Sequence, residues 1–284
     1  MKKIISLFAL FMLLFVMACD KINGPYNDVE VAPPDTNTQV RLRKVLIEDF
    51  TGHKCPNCPR AAEAIKALQL LRPGRIISIG EHVTSQFAAP GSGIYNIDFR
   101  TPVGNSNDSL FKVSALELPS GMVNRLLVNG ERRIEYTKWG QYADSLLNLP
   151  ALAYITIDNA YDNVNRTVSC TLKSDFLSDT LTGTYKLVVY LVEDSIVHAQ
   201  KDNLIPSPSN DSNYVHQHVL RTSINGTFGV VLNSGPVNST STFTKNYTKV
   251  LSANWKEKHC KVIAFIYNDA TKEILQAEER EVID

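Results

Sequence analysis

The sequence predicts an α/β domain followed by an all-β domain built as an antiparallel sandwich. Three observations carry this. The stretch Lys44-Val-Leu-Ile-Glu-Asp-Phe-Thr-Gly-His-Lys-Cys-Pro-Asn-Cys-Pro-Arg60 reads as a buried strand (Val45 to Phe50), a short loop and the start of a helix bearing two cysteines. Arg75-Ile-Ile-Ser-Ile-Gly80 is a second buried run, at the spacing of a right-handed parallel crossover. After Ala151 the pattern becomes alternating apolar and polar residues broken by turn residues, as in short antiparallel strands. A chain of 284 residues has room for two domains. The change of pattern puts their boundary near Leu149-Pro150, giving domains over 41–150 and 151–284.

The N-terminus reads as a targeting segment. Lys2-Lys3 is followed by an apolar run, Ile4 to Met17, and by Val16-Met-Ala-Cys19, which resembles a bacterial lipobox. That resemblance implies removal of residues 1–18 and lipidation of Cys19, so that lipid chains hold the protein on a membrane without crossing it. The competing reading is an ordinary secretory signal with a chance cysteine. Later in the chain no 18-residue uncharged apolar run exists, so no spanning helix is expected. Residues 19–40, with Asn23-Gly-Pro25 and Ala32-Pro-Pro-Asp35, read as a flexible tether. Export places the protein in the cell envelope, in an oxidising compartment. With a formal net charge of zero, nothing calls for nucleic acid as a partner.

Within 41–150 the first helix is expected over Ala61 to Leu71. Pro59 lies in its first turn, Ala61, Ala62, Ile65, Leu68 and Leu71 form an apolar face, and Pro73-Gly74 ends it. Glu81 to Leu118 is less regular, with one short helix near Ser109 to Ser114. A strand over Met122 to Val128, a turn at Asn129-Gly130, a short strand near Arg132 to Ile134 and a helix over Tyr136 to Leu147 follow. Within 151–284, strands are expected at Ala153–Asp158, Thr167–Leu172, Tyr185–Val192, Phe243–Thr248, Lys261–Tyr267 and Ile274–Ala277, with Leu204 to Ser212 as a long polar loop.

Cys55 and Cys58 carry the chemistry. A helix N-terminus favours an anion, and the thiolate is the nucleophile of disulfide exchange. His53, Lys54 and Arg60 are expected to lower the thiol pKa further. A Cys-x-x-Cys pair also serves as half a zinc site or as a structural disulfide. A zinc site needs two more ligands, and no second Cys-x-x-Cys exists here. No metal or cofactor is therefore expected, and the partners are protein or peptide thiols and disulfides. Asp49 shares a strand face with Val45 and Ile47 and is buried if they are; otherwise Glu48 points inward. His82 follows the second strand and is a further candidate for facing the site. His216 and His218 share a face if on a strand, which reads as a solvated face. Cys170 and Cys260 fall in strands, either as an inter-sheet disulfide or as two buried thiols. Asp108-Ser-Leu, Asp144-Ser-Leu, Asp179-Thr-Leu and Asp194-Ser-Ile match a short O-glycosylation pattern that arises easily by chance.

The first domain resembles the thioredoxin fold, through Asp49-Phe50 six positions before the first cysteine, Cys55-Pro-Asn-Cys58, and Leu118-Pro119 followed by a strand and Asn129-Gly-Glu131. The resemblance implies a cis Pro119 facing the dithiol, and a buried Asp49 that assists proton transfer to Cys58. The second domain resembles an immunoglobulin-like sandwich. More narrowly, Glu48-Asp-Phe-Thr-Gly-His-Lys-Cys-Pro-Asn-Cys-Pro59 and Gly121-Met-Val-Asn-Arg125 resemble the Omp28-type outer-membrane lipoproteins of Bacteroidota. The expected function is that of a lipid-anchored thiol–disulfide oxidoreductase at the outer membrane. The alternatives are a non-catalytic, adhesin-like surface lipoprotein with a structural Cys55–Cys58 disulfide, or a metal-binding protein.

Overall fold

A computed structural model describes residues 41–283. The signal peptide, the lipidation of Cys19 and the tether lie outside the described residues.

Val45–Thr51 is β1, buried along nearly its whole length, and Cys58–Leu71 is α1. Ile76–His82 is β2, parallel to β1 as the crossover spacing predicts. Leu71, expected on the inner face of α1, is 70% exposed; Ala61 and Ile65 are the residues that helix buries. The stretch from Glu81 to Leu118 contains more order than its composition suggested. Pro102–Phe111 forms α2, starting at Thr101, whose Oγ accepts the Gly104 N–H at 3.0 Å. Thr-Pro at a helix start is a capping signal that the Gly/Ser/Asn-rich surroundings hid. Ser120–Val123 is β3, shorter than expected because Asn124 and Arg125 both take positive φ and turn the chain out of the strand. The turn at Asn129-Gly130 is present, closed by paired Val128 and Glu131. Trp139–Leu147 is α3.

The expected second-half strands are all present and longer: Ala153–Asp162 (β4), Thr167–Phe176 (β5), Thr184–Glu193 (β6), Thr242–Val250 (β13), Cys260–Asn268 (β14) and Ile274–Glu281 (β15). Between β6 and β13 come the two-residue strands Ile196–Val197 (β7), Gln200–Lys201 (β8), Asn210–Asp211 (β9) and Val215–His216 (β10), then Val219–Ser223 (β11) and Val230–Ser234 (β12).

The domain boundary does not separate two sheets. One eight-stranded mixed sheet runs β15-β14-β6-β11-β2-β1-β3, with β12 also on β6, and residues 41–284 form a single compact unit. The physical reason is β11. It pairs antiparallel with β6 and parallel with β2, where the Gly80 N–H donates to the His218 carbonyl at 2.7 Å, so the second half extends the first half's sheet. One face of β1 and β3 packs Val45, Ile47 and Val123 on α1 and α3 through Ala61, Ile65, Trp139 and Ala143. The other face packs Leu46, Ile77 and Ile79 with Val103 of α2 and with Tyr190 and Phe265. Farther along, β6 and β14 pack on a separate three-stranded antiparallel sheet, β13-β5-β4. The described residues are thus β-rich, with a mixed sheet that carries α1 and α3 on one face and α2 on the other.

The phrase Gly121 to Arg125 proves to be a structural joint. A Cβ on Gly121 would lie 2.5 Å from both the Glu48 carbonyl and the Trp139 ring. Asn124 Oδ1 accepts the Leu46 N–H at 2.7 Å, and its Nδ2 donates to the Ile274 carbonyl at 3.1 Å, tying β1 to β15. Arg125 reaches Glu48.

Candidate functional site

Cys55 and Cys58 form a disulfide, with Cα atoms 5.5 Å apart. The loop that holds it is tight. A Cβ on Gly52 would meet the Phe87 carbonyl at 2.6 Å, and the Cys55 N–H turns back to the Gly52 carbonyl at 2.9 Å. Cys58 is the first residue of α1. The N-cap side chain of Asn57 makes no capping bond and the first turn holds no acid, so this helix end keeps its positive character. Both cysteines are buried, 1% and 2% exposed, in an apolar cluster with Phe50, Val83, Val113, Leu118 and Met122, flanked by Phe87 and Phe111.

Asp49 points to the α1 side of the sheet, as its shared face with Val45 and Ile47 predicts. It is buried, its Oδ1 has no hydrogen-bond partner among the described residues, and burial pushes its pKa up to about 8. It lines a cavity of about 560 Å³ with Gln69, Ser78, Tyr214 and His218. Glu48 is buried as well, on the opposite face. There Arg125 grips it in a two-point ion pair at 2.6 and 2.8 Å, with both side chains essentially inaccessible. Beside them Glu81, raised well above the usual carboxyl range by burial and then by Glu48, accepts the Asn107 amide at 3.1 and 3.2 Å. Sequence reading treated Asp49 and Glu48 as alternatives, whereas the sheet buries one on each face.

Two of the three modulating neighbours, His53 and Arg60, behave differently from expectation. His53 is buried and its pKa is lowered to about 4, by burial first and then by Lys54, so it carries no positive charge at neutral pH. Arg60 is spent in an ion pair with Asp202 at 2.6 Å. Lys54 is partly buried, with its N–H on the Phe87 carbonyl. His53, His82, His198 and His216 surround the ring of Phe99 at centroid distances of 5.5, 4.7, 5.7 and 4.8 Å. His82 therefore faces this aromatic box, and its pKa falls well below the usual value through burial and then His216. His216 and His218 do not share a solvated face. His218 takes φ 55°, which parts their side chains: His216 is buried in the box and His218 sits beside Asp194 at 3.1 Å. Among the described residues, no three His, Cys, Asp or Glu side chains stand close enough to hold a metal ion.

Sequence reading missed a strap. Residues 200–204 lie along the cysteine loop: Lys201 N–H donates to the His53 carbonyl at 2.8 Å and Asn203 N–H to the Pro56 carbonyl at 3.1 Å. Gln200 Nε2 donates to the Cys55 carbonyl at 2.9 Å, and Asn203 Nδ2 to Asn57 Oδ1 at 2.5 Å. The missing signal is intelligible, because a polar loop 145 residues away carries no periodicity that reports where it docks.

The Leu118–Pro119 bond is cis, as the resemblance implied; Ser207–Pro208 is a second cis bond that nothing in the sequence announced. Leu118 packs in the cysteine cluster. Pro119 lines a groove of about 390 Å³ with Asn57, Arg60, Tyr136, Asn203 and Leu204. Cys170 and Cys260 are separate buried thiols rather than a disulfide. Both lie in the core between the two sheets, where the Cys170 thiol is taken up by the Tyr247 carbonyl at 3.6 Å and burial pushes the Cys260 thiol up to about 12. The acids of the four Asp-Ser/Thr triplets are engaged in contacts of their own: Asp108 with Ser114, Asp144 with Arg72, Asp179 with Ser239 and Asp194 with His218.

Fold and site together define a β-rich mixed α/β protein with a Cys-x-x-Cys disulfide at the mouth of a helix. The chain belongs to the outer membrane protein Omp28 family, whose sequence model matches residues 105–283, and its place is accordingly the outer membrane of the cell envelope. The match starts after the cysteine motif, so it says nothing of the disulfide. Among solved structures the chain is similar to HBP35 of Porphyromonas gingivalis (18% identity, TM-score 0.65, covering 85% of this chain and 76% of that one). It is also similar to protein AGR_C_4864 from Agrobacterium tumefaciens (12%, TM-score 0.50, 86% and 96%). A domain of the outer membrane lipoprotein Omp28 from P. gingivalis matches at 18% identity over 46% of this chain and 88% of that one, with a TM-score of 0.32. At these identities the first two likenesses speak for the fold alone, and the third carries no argument. No curated protein matches the chain. No described helix is long and apolar enough to cross a membrane.

Proposed function

We propose that the chain is a lipid-anchored thiol–disulfide exchange protein of the outer membrane, its first half a thioredoxin-like unit and Cys19 its anchor. The observation that carries this is the Cys55–Cys58 disulfide between β1 and α1, with Leu118 of the cis Leu118–Pro119 bond packed in the cysteine cluster and a buried Asp49 on β1 whose pKa burial raises to about 8. A partner thiolate attacks the Cys55 sulfur, the Cys55–Cys58 bond breaks, and Cys58 leaves as a thiolate that takes the Asp49 proton. A second partner thiol then displaces Cys55, leaving the partner oxidised by two electrons and the protein as a dithiol. Run backwards, the same steps reduce a partner disulfide. The positive end of the α1 dipole favours the Cys55 thiolate in either direction.

One observation favours a second reading. Sulfurs this well shielded suit a structural disulfide in a non-catalytic surface-binding lipoprotein, with the long β-rich second half as the binding module. Reduction of a disulfide-bonded peptide by the full chain separates the two. The exchange reading predicts turnover that Cys55→Ser abolishes; equal activity in wild type and variant contradicts it.

A further inference from the structure

The disulfide that exchange requires is shut away from solvent, and an attacking thiolate has to reach the sulfur it attacks. We propose that the strap Gln200–Leu204 is a displaceable cover that stands where a partner polypeptide docks, and that exchange begins when an extended, carboxylate-bearing segment lifts it. This rests on the exchange reading above.

What the strap offers the cysteine loop is what a docked peptide offers. It supplies one peptide N–H to the His53 carbonyl, a second to the Pro56 carbonyl, and between them the Asp202 carboxylate to Arg60. These contacts run on both sides of Cys55, and Gln200 adds its amide to the Cys55 carbonyl itself. The strap is held elsewhere by little. Its strand β8 pairs over two residues with β9, extended by the Asp202 N–H to the Ser209 carbonyl at 2.9 Å, and the turn beyond it is local and surface-lying, with Leu204 67% exposed. The Arg60–Asp202 pair is not sealed either: the Arg60 side chain is 23% exposed, so an incoming carboxylate can compete for it. The groove beside Pro119 has Asn203 and Leu204 as one wall and Arg60 as another. It is a landing place next to the segment to be displaced. The cysteines also lie in one apolar cluster with Val113 and Leu118, flanked by Phe87.

The test reads access to the sulfur without needing enzymatic activity. The full chain is reduced with excess dithiothreitol, whose first thiolate attacks Cys55 and whose second closes its own ring disulfide, passing two electrons to the protein; samples are trapped with an alkylating reagent over time. Gln200→Ala combined with Asp202→Asn is expected to speed reduction at least about tenfold, with hydrogen exchange at the Lys201 and Asn203 amides accelerated and the rest of the sheet still protected. A peptide copying Ala199 to Leu204, added in excess, is expected to speed reduction of the wild-type chain, and its Asp→Asn version to do so less. Unchanged reduction rates with a loosened strap overturn the proposal, because the sulfurs are then covered by something else. Amides that stay protected in the variant overturn it too, because these bonds then do not hold the strap. Fast reduction of the variant without exchange onto any peptide disulfide keeps the cover and sinks the exchange reading instead.

Discussion

A carboxyl group held protonated up to about pH 8 costs stability wherever the unfolded chain would already have released the proton. Asp49 is such a group: its folded pKa of about 8 lies above an unfolded value near 3.8. The proton-holding contribution is complete below that lower value and is lost as pH rises towards 8. Asp49→Asn is therefore expected to stabilise the protein at pH 8 by a few kcal/mol, roughly 2–5, and by little at pH 4, as read by denaturant titration at the two values. The same variant slows exchange if Asp49 supplies the Cys58 proton. Arg125 works in the other direction. Arg125→Met keeps an apolar stem but strands Glu48 in the core, and is expected to cost about 3–5 kcal/mol. The burial of Asp49 was legible from strand alternation, and the cis bond before Pro119 from the thioredoxin resemblance. The Glu48–Arg125 pair was not, because its members are 77 positions apart and no local pattern links them.

At the scale of elements, the box of histidines around Phe99 joins the core (His53, His82) to the segments flanking the strap (His198, His216). His53 is lowered to about 4 and His216 to about 3, both below the unfolded value near 6.5, by burial first in each case. Their contribution is full above pH 6.5 and drains away as pH falls towards those values, since the unfolded chain takes up protons first. Thermal melts are expected to drop between pH 6.5 and 4, and His216→Phe to flatten that limb; an unchanged limb would place acid sensitivity elsewhere. Gly121 gives a second test on this scale. Its missing side chain lets β3 pass under Trp139 and over Glu48, so Gly121→Ala is expected to destabilise by roughly 1–3 kcal/mol, measured by urea titration. Helices α1 and α3 and the long strands were legible from period and turn residues, whereas most of α2 was not. The strap and the histidine box were not, because they arise from a polar insertion whose docking site is set by the folded core and not by its own sequence.

For the whole molecule, the two halves read as separate domains because their local patterns differ: a parallel crossover in one, alternating strands in the other. Pattern reports which face of an element is buried but not which sheet it joins. β11 sits between β2 and β6, and Asn124 bonds both Leu46 and Ile274, so one sheet crosses the expected boundary. Residues 41–150 alone would expose the β2 edge and the Leu46–Ile79 face. That fragment is accordingly expected not to fold, while the full chain unfolds in a single cooperative transition by circular dichroism and fluorescence alike. Two separated transitions would restore the two-domain view. The most direct test of the central claim is trapping. In full-length protein carrying Cys58→Ser, incubation with a disulfide-bonded peptide is predicted to accumulate a mixed disulfide at Cys55, released by reductant and absent when Cys55 is also replaced. Failure to form any mixed disulfide at Cys55, in protein whose strap is shown by hydrogen exchange to open, would contradict thiol exchange and leave the pair a structural disulfide.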